Sequence, residues 1–455
     1  MRKISTWILS LLLFPMTMYG QTWSGEGTAS SPYQISSAAD LQALADEVKN
    51  GTDFSGEYFA VQQDISGISS VIGSVETPFK GIFDGNNHTL TVNISASGYI
   101  GLFGYIQDAI IKRVKLAGIV NGDSDADGGH GGLVGYSKNG IVENCHNSAT
   151  LNCAYKRNGG IVGYNEYGTI RYCTNSGSVL GTVESGDRTG GICGYTEGGT
   201  IMNCSNSGKV FGDDGIGGIV GRNSDGGSVR SCSNSGTVSG DFSIGGIVGE
   251  FYSEPFRAST TSEIVYGYNE GEITGSDGVA GIVGEADNGL IQSCYNVGTI
   301  ICTDDEGIAY GIAYTYSSTT MLENCNYLKG TVSGSDEGIS AEDLVKEMAT
   351  VFTPENGWAS APSLGADGEI TSPTLVMESE EEVPPTSIEE ITGVQVYAKD
   401  GSIFVQTPQQ EQVMIISMSG TIIKNESQIG LKQYAGLRQG IYIICIGEKR
   451  VKVVI

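Results

Sequence analysis

The sequence is poor in basic and imidazole side chains. Its 455 residues include 25 Lys and Arg against 52 Asp and Glu, a formal net charge of −27, and only 3 His. Nucleic-acid-binding domains carry a basic face, so this deficit excludes a nucleic-acid partner. Zinc sites need closely spaced Cys pairs and His, and the sequence offers no such ligand set. We therefore expect an acidic, well-solvated surface.

Long apolar runs and familiar catalytic motifs are also missing. The one extended apolar run, Trp7–Met16, follows Arg2 and Lys3 and is too short to span a bilayer. Residues 1–20 therefore predict a secretory signal peptide and an exported protein with no membrane span. Gly-x-Ser-x-Gly, His-Glu-x-x-His and P-loop sequences are absent. The middle of the chain lacks helical periodicity, which excludes a helical repeat.

What the sequence does contain is a glycine-rich phrase that recurs at a spacing of about 30 residues, the signature of a repeat architecture. Its copies are Gly101–Tyr105, Gly131–Tyr136, Gly159–Tyr164, Gly190–Tyr195, Gly217–Arg222, Gly245–Glu250, Ala280–Glu285 and a degenerate Tyr310–Tyr314. A single repeat cannot bury its own apolar side, so successive copies must stack on one another.

Each copy holds three short β-branched segments separated by turn residues. The second segment carries an apolar residue followed by a cysteine, at Cys145, Cys173, Cys204, Cys232, Cys294 and Cys325. An asparagine follows in most copies, at Asn147, Asn175, Asn206, Asn234, Asn269 and Asn296. The pattern predicts three strands per repeat, and strands stacked at about 4.8 Å give a parallel β-solenoid with three faces. The asparagines would then form a ladder at one corner, and ligand binding is the alternative role for this column.

The phrase, with its trailing Asn-Cys-x-Asn-Ser-Gly, resembles the GLUG repeat family over about Phe79–Gly334. The opening segment resembles the start of right-handed β-helix proteins, in which an amphipathic helix covers the first coil. Ser37 and Asp40 would form a capping box, and one face would bury Leu41, Leu44, Ala45 and Val48. The expected fold is all-β: a right-handed parallel β-helix with a short N-terminal capping helix and a small C-terminal β-sandwich.

The order of these segments predicts a domain organisation. After the signal peptide we expect an N-terminal cap with the first coils (21–98), the repeat β-helix (99–335) and a segment that closes the solenoid (336–376). An acidic, Pro-bearing linker (377–391) precedes alternating strands at 392–455. The segment Leu437–Ile455, with Gly440-Ile441-Tyr442 and a basic end, resembles the C-terminal sorting domain of type IX secretion in Bacteroidetes. That resemblance implies export across the outer membrane; a resident β-sandwich is the alternative.

Ten cysteines in an exported chain would ordinarily indicate disulfides. Here most of them fall at one position of the repeat. Neighbouring in-register strands hold equivalent Cβ atoms about 4.8 Å apart, which is beyond the separation that a disulfide prefers. We therefore expect free, buried thiols that act as small apolar groups.

The loops before the glycine phrases are acidic, and the first has the spacing of a calcium loop. Asp123, Asp125 and Asp127, followed by Gly128, match D-x-D-x-D-G. The twelfth position is Val134 rather than Glu, and no helices flank the loop. The sequence leaves open a weak Ca²⁺ site or a plain solvated acidic turn; it predicts no other cofactor.

Two aromatic features could contact a ligand. Tyr105, Tyr136, Tyr164 and Tyr195 would form a column that either presents a sugar-binding strip or packs on itself. The longest repeat carries an insertion at Glu250–Glu263. Loops that leave a regular scaffold commonly carry function. We therefore assign ligand binding to the residues Phe251, Tyr252, Phe256 and Arg257.

These observations together predict a binding protein. We expect a secreted protein, or one held on the outer-membrane surface of a Gram-negative bacterium, that recognises an extracellular glycan or matrix protein without catalysis, as an adhesin does. No catalytic residue is assigned. One alternative is a polysaccharide lyase or hydrolase on a β-helix scaffold, which would need two carboxylates at a fixed separation. Another is a passive surface spacer.

Overall fold

A computed structural model describes most of the chain after the first 22 residues. The described residues are 23–122, 128–153, 156–181, 188–253, 262–315, 317, 319–335, 337–365, 368–376, 395–399, 402–417, 422–434, 441–446 and 449–454. The predicted signal peptide and acidic linker lie outside these ranges. The chain divides into two compact units, Met1–Ser379 and Glu380–Ile455.

The first unit is a parallel β-solenoid, which confirms the predicted all-β class and architecture. Four sheets run along it, and each regular repeat adds one strand to three of them and two strands to the fourth. The longest regular face, here called the valine sheet, comprises Tyr33–Ile35, Tyr58–Val61, Ile82–Asp84, Ile110–Lys112, Ile141–Glu143, Thr169–Arg171, Thr200–Met202, Ser228–Arg230, Glu263–Val265, Gly289–Gln292 and Thr320–Glu323. Its central residues, from Val142 to Ile291, pair in register and lie in the core.

The glycine phrase builds the next two faces. The tyrosine sheet comprises Phe103–Gln107, Val134–Lys138, Val162–Glu166, Cys193–Glu197, Val220–Ser224, Val248–Tyr252, Val283–Asp287 and Ala313–Thr315. The shorter glycine sheet precedes it in each coil and comprises His130–Gly131, Asn158–Gly159, Thr189–Gly190, Asp214–Gly217, Phe242–Gly245, Asp277–Ala280 and Ala309–Tyr310.

The remaining solenoid strands form one branched sheet, here called the asparagine sheet. One branch holds the asparagines and the other holds the third apolar position of each repeat. The long strands Thr89–Ala96 and Lys115–Gly122 pair along their whole length, and both branches begin at the second of them. The other members are Ile65–Ile68, His146–Asn147, Thr150–Cys153, Thr174–Asn175, Val179–Gly181, Ser205–Asn206, Val210–Phe211, Ser233–Asn234, Val238–Ser239, Tyr268–Asn269, Ile273–Gly275, Tyr295–Asn296, Ile300–Cys302 and Asn326–Tyr327.

The predicted asparagine ladder is present and buried. Each amide donates to the side-chain oxygen of the next coil, at 2.8–2.9 Å from Asn147 through to Asn296. The second glycine of each phrase makes room for it: a Cβ on Gly191 would lie 2.4 Å from Cγ of Asn206. The asparagine side chain fills the space that a Cβ on the second glycine would occupy. This is why the Gly-Gly pair and the asparagine recur together.

The cysteine column is unpaired and, except for the partly exposed Cys325, buried; all ten cysteines are free. The Cys173 thiol lies 3.3 Å from the carbonyl oxygen of Arg171, and the same local contact recurs at Cys204 and Cys232. Removal from water raises the pKa of the Cys173 and Cys204 thiols, because burial disfavours the thiolate. These side chains are packing groups.

Helix α1, Ala38–Lys49, covers the first coils as predicted. The Ser37 hydroxyl accepts from the Asp40 backbone amide at 3.3 Å, which caps the helix N-terminus. Its apolar face buries Leu41, Leu44, Ala45 and Val48 in the solenoid core. Neither α1 nor the second helix is long and apolar enough, within the part of the chain the structure describes, to cross a membrane.

The segment expected to close the far end of the solenoid lies along its side instead. Helix α2, Ala341–Val351, buries Leu344 and Met348 against Tyr268 and Tyr295, which point outward from the asparagine sheet. These tyrosines occupy the positions that Thr174, Ser205 and Ser233 hold in earlier coils. The expectation was wrong because an amphipathic helix packs where bulky side chains replace small polar ones.

The rest of this flank runs back toward the middle coils. A 3₁₀ turn, Pro354–Asn356, leads into two small antiparallel strand pairs, one nested inside the other: Trp358–Ser360 with Thr374–Leu375, and Ser363–Leu364 with Ile370–Thr371. The Asn203 amide donates to the carbonyl of Gly357 at 3.0 Å. Leu322, in the core column of the last coil, stays 44% exposed, so the described flank leaves that end of the core open.

The second unit is an antiparallel sheet with its own small core. Its strands are Gln395–Lys399, Ser402–Ser417, Ile422–Tyr434, Ile441–Ile446 and Lys449–Val454. The core comprises Ile403, Val405, Val413, Ile415, Tyr434, Tyr442, Ile444 and Ile446. Alternate residues of the long second strand face this core, which is the periodicity that predicted strands here.

Candidate functional site

The outer face of the tyrosine sheet concentrates the most varied chemistry of the solenoid. Side chains alternate across a strand, so positions two apart share this face. In-register pairing aligns one outer column, from the N-terminal side: Tyr105, Tyr136, Tyr164, Tyr195, Arg222, Glu250 and Glu285. A second column, two residues later, runs Gln107, Lys138, Glu166, Glu197, Ser224, Tyr252 and Asp287.

The tyrosine rings pack on one another. Tyr105 and Tyr136 stack at 4.6 Å between centroids with their planes 6° apart, and Tyr164 and Tyr195 stack at 4.8 Å and 11°. Tyr136 meets Tyr164 edge to face at 4.6 Å. Because each ring face is covered by a neighbour, the column presents ring edges and hydroxyls outward. This geometry favours the packing interpretation over a sugar-stacking platform.

The tyrosine hydroxyls bond to the second column. Tyr136 donates to Glu166 and Tyr164 donates to Glu197 in the following coil. Tyr195 lies 3.1 Å from the Ser224 hydroxyl. Removal from water, and then the carboxylate acceptors, raise the pKa of Tyr136 and of Tyr164 above its usual range. The hydroxyls therefore stay protonated and hold the carboxylates in place.

Three arginines surround Tyr195, and we call them the arginine cluster: Arg157, Arg188 and Arg222. Their guanidinium carbons lie 5.7, 5.6 and 5.8 Å from the Tyr195 ring centroid. Arg157 also lies 5.0 Å from the ring of Tyr164, and Arg222 lies 5.3 Å from that of Tyr252. All these distances are within the range of cation–π attraction.

The cluster is unevenly neutralised. Glu250 accepts from Arg222 at 2.9 Å and from Arg188 at 3.4 Å. Arg157 has no ion pair with any residue that the structure describes, and its Nε is buried without a hydrogen-bond partner. The Arg222 Nε is in the same situation. The site thus holds guanidinium donors that the described protein groups do not use.

The backbone carries Arg157 and Arg188 in the left-handed region. Their φ angles are 66° and 65°, and register places them in the column that Gly215 occupies in the next coil, with φ 69°. A non-glycine residue there costs roughly 1–2 kcal/mol. Side chains held at such positions are good candidates for a functional role.

Behind this face lies a short buried polar line. His130, in the glycine sheet, is fully buried, and its Nδ1 lies 2.9 Å from Oδ1 of Asn158. Asn158 in turn donates to Thr189 at 3.2 Å. Burial lowers the pKa of His130 because the imidazolium is poorly solvated there. These hydrogen bonds join the neighbouring coils that carry Arg157 and Arg188.

The structure separates the ligand residues assigned to the insertion loop. Phe251 is 1% exposed and packs over Gly289, where a Cβ would lie 2.4 Å from its ring. It is a core residue, which corrects its assignment to a ligand contact: the strand continues as far as Tyr252, so Phe251 points inward. Tyr252 is on the outer face beside Arg222. Phe256 and Arg257 lie outside the described residues.

The proposed calcium ligands Asp123, Asp125 and Asp127 also lie outside the described residues, so the Ca²⁺ site stays a prediction. Across the ranges that are described, no group of three or more His, Cys, Asp or Glu side chains is arranged to hold a metal ion.

Sequence reasoning missed Arg157 and Arg188. Both stand two residues before a Gly-Gly pair, in Arg-Asn-Gly-Gly and Arg-Thr-Gly-Gly. That shared offset, in a chain with 25 basic residues among 455, was the available signal. Only the stacking of coils shows that both side chains meet Arg222 at one ring.

A known sequence family resembles part of the repeat region. The family model described as the GLUG motif matches residues 159–180, 185–210 and 212–239. These three segments are similar to the GLUG motif. Arg188 and Arg222 lie within them, and Arg157 lies two residues before the first.

Two known proteins resemble the chain more broadly. Halomucin from Haloquadratum walsbyi is 30% identical over 145 residues, which cover 28% of this chain and 2% of halomucin. The chain thus spans a very small part of the curated relative that it matches. A crystal structure of a proposed immunoglobulin A1 protease from Bacteroides ovatus aligns over 78% of this chain and 94% of that one, with 20% identity and a TM-score of 0.45.

Proposed function

We propose that this GLUG solenoid is an adhesin-like binding protein, secreted or held on the outer surface of a Gram-negative bacterium. It recognises an extracellular glycan or matrix protein and performs no catalysis. The observation that carries the proposal is the outer face of the tyrosine sheet, where Tyr, Arg and Glu side chains align on rigid, in-register coils. Rigid aromatic and arginine side chains are common anchors of recognition. The match to halomucin, whose name denotes a mucin, supports an extracellular role.

A polysaccharide-cleaving enzyme is the alternative, and the carboxylates of this face fit it poorly. General acid–base cleavage needs one carboxyl group free to donate a proton and a second at a fixed separation. Glu166 accepts from Tyr136 and pairs with Lys138, and Glu250 is shared by two arginines. Both carboxylates are already engaged by protein partners, which does not match the arrangement that acid–base cleavage requires.

The test is direct binding by the full chain. On an array of extracellular glycans and matrix proteins we expect selective binding, weakened by Tyr252→Ala while the circular dichroism spectrum and melting curve stay unchanged. Tyr172→Ala is the matched control, since Tyr172 lies at a corner away from the tyrosine sheet. Release of reducing ends or unsaturated sugars from pectin, alginate or chondroitin would contradict the proposal and favour the enzyme. No binding to any array member would favour the passive spacer.

We further propose that residues 392–455 direct export across the outer membrane, as the resemblance to type IX sorting domains implies. Their folding as a unit apart from the solenoid supports a separable signal. Deletion of this segment should leave the solenoid in the periplasm of the producing cell. Surface labelling of intact cells checks this: equal labelling of the full and shortened chains would favour a resident domain instead.

A further inference from the structure

We propose that the arginine cluster binds the anionic groups, carboxylate or sulfate, of an acidic polysaccharide. The inference rests on the proposed function and names its ligand class. The cluster is unexpected in a chain of net charge −27. Three guanidinium carbons lie within 5.8 Å of one ring centroid, so no two are farther apart than twice 5.8 Å.

The charges of the cluster call for an anion. Like charges this close repel one another, and opposite charge in the partly buried site relieves the repulsion. Glu250 supplies one carboxylate, shared by Arg188 and Arg222. Glu197 is held by the Tyr164 hydroxyl and forms no ion pair with an arginine among the described residues. The Arg157 guanidinium lies over the rings of Tyr164 and Tyr195 and pairs with no described carboxylate.

The donor geometry selects carboxylate or sulfate. A guanidinium offers a rigid fork of N–H groups that matches two oxygens of such an anion, and these charge-assisted bonds are stronger than neutral ones. The stacked rings beneath hold the guanidinium planes and limit the conformational freedom lost on binding. The covered ring faces leave little for stacking a neutral sugar, so charge is the main determinant of recognition here.

A polymer fits better than a small anion because the donors come from successive coils. Arg157, Arg188 and Arg222 belong to three coils that rise about 4.8 Å each, along the solenoid axis. An extended chain with regularly spaced anionic groups could engage the cluster along this axis.

The experiment measures binding of the full chain to matched polymers by calorimetry in 50 mM and 500 mM NaCl. Polygalacturonate carries carboxylate only, dextran sulfate carries sulfate only, and dextran is neutral. We expect binding to at least one anionic polymer, none to dextran, and weakening in high salt. The anionic polymer that binds more tightly shows whether the cluster prefers carboxylate or sulfate. Tighter binding of poly-glutamate than of either polysaccharide would overturn the assignment to a polysaccharide.

Three variants locate the site. Arg157→Gln should weaken binding about tenfold or more, since it removes a charge-assisted contact. Arg171→Gln is the control: it makes the same charge change on the valine sheet, where Arg171 pairs with Glu143. Glu250→Gln should strengthen binding, because it removes the carboxylate that competes with the ligand. Circular dichroism verifies that each variant is folded.

The outcomes separate this inference from the proposed function. Glycan binding that is indifferent to Arg157→Gln and Glu250→Gln would leave the surface-binding proposal standing and refute the arginine cluster as its site. An equal loss in Arg157→Gln and Arg171→Gln would refute it too, because the effect would then reflect net charge alone. Absence of binding to every polymer and array member would refute both.

Discussion

The buried hydrogen bonds of the asparagine ladder should stabilise the fold much more than similar bonds between exposed asparagines. Asn206 stands in its middle and makes four hydrogen bonds. Its Nδ2 donates to Gly208 O and to Asn234 Oδ1, both at 2.9 Å. Its Oδ1 accepts from Asn175 Nδ2 at 2.8 Å and from the Gly208 amide at 3.2 Å. Asn206→Ala removes all four inside a site that water does not reach.

The expected cost follows from what is left behind. A neutral buried hydrogen bond contributes about 1 kcal/mol net, and an orphaned buried group costs about 1–3 kcal/mol. Asn175 keeps its bond to Gly177 O and Asn234 keeps its bond from the Gly236 amide. The Gly208 amide and carbonyl lose their asparagine partner. We therefore expect Asn206→Ala to lower the free energy of unfolding by about 3–5 kcal/mol.

The matched control is an exposed copy of the same bond. Asn152 donates to Asn121 at 3.0 Å on the surface. Since water replaces that bond, Asn152→Ala should cost at most about 0.5 kcal/mol. Asn206→Asp adds a second comparison: it keeps the shape but loses both donors and buries a carboxylate. Its cost should be large near neutral pH and smaller in acid, where the carboxyl group is protonated.

Urea unfolding followed by circular dichroism gives the free energies. Because a solenoid can open coil by coil, amide hydrogen exchange over residues 203–210 and 231–238 shows where protection is lost. Equal costs for Asn206→Ala and Asn152→Ala, or a cost below about 1 kcal/mol for the former, would refute the argument that burial makes the ladder stabilising.

Two further predictions concern the buried side chains of the solenoid, and a third concerns the acidic loop that contains Asp125. In the native protein the buried cysteines should react slowly with a thiol reagent, and only the partly exposed cysteines should react quickly. In the denatured protein all ten should react without added reductant. Recovery of disulfide-linked cysteines would contradict the packing role. The partly exposed cysteines are Cys302, Cys325 and Cys445. In the folded state the pKa of His130 lies below its usual range, whereas in the unfolded chain this side chain takes up a proton near pH 6.5. The free energy of unfolding should therefore be highest above that pH and should fall as the pH drops below it. His130→Asn should reduce the pH dependence of the melting temperature. Some dependence should remain, because burial also lowers the pKa of His146. An unchanged pH dependence would exclude His130 as its source. Millimolar Ca²⁺ should raise the melting temperature, and Asp125→Ala should lessen the gain; no shift at about 10 mM would return the loop to a solvated turn.

The sequence predicted the features that repeat. Asparagine, cysteine and Gly-Gly recur at fixed offsets, and stacking places equivalent residues in columns. The ladder and the free thiols could therefore be predicted from the sequence alone. The helix α1 was equally accessible, because Ser37 and the spacing of Leu41, Leu44 and Val48 specify a capped amphipathic helix.

Features that depend on departures from the repeat were harder to predict. The side position of α2 depends on Tyr268 and Tyr295 replacing small residues in two coils, a change that is visible only once the outward column is known. Phe251 was misassigned because the strand Val248–Tyr252 continues into the insertion, so the alternation of side chains turns Phe251 inward. The arginine cluster joins residues far apart in sequence, and its position depended on the exact register of three coils.

The strict register also bears on how such a chain can change in length. Asn206 and Asn234 are 28 residues apart and occupy the same column, so excising the segment between them would join two ends that already match. Duplication of the same segment would insert one complete coil with every column continuous. Gain or loss of whole coils would therefore yield solenoids of different length. Changes outside the coils of Arg157, Arg188 and Arg222 would alter the length of the solenoid while leaving the proposed anion-binding face intact.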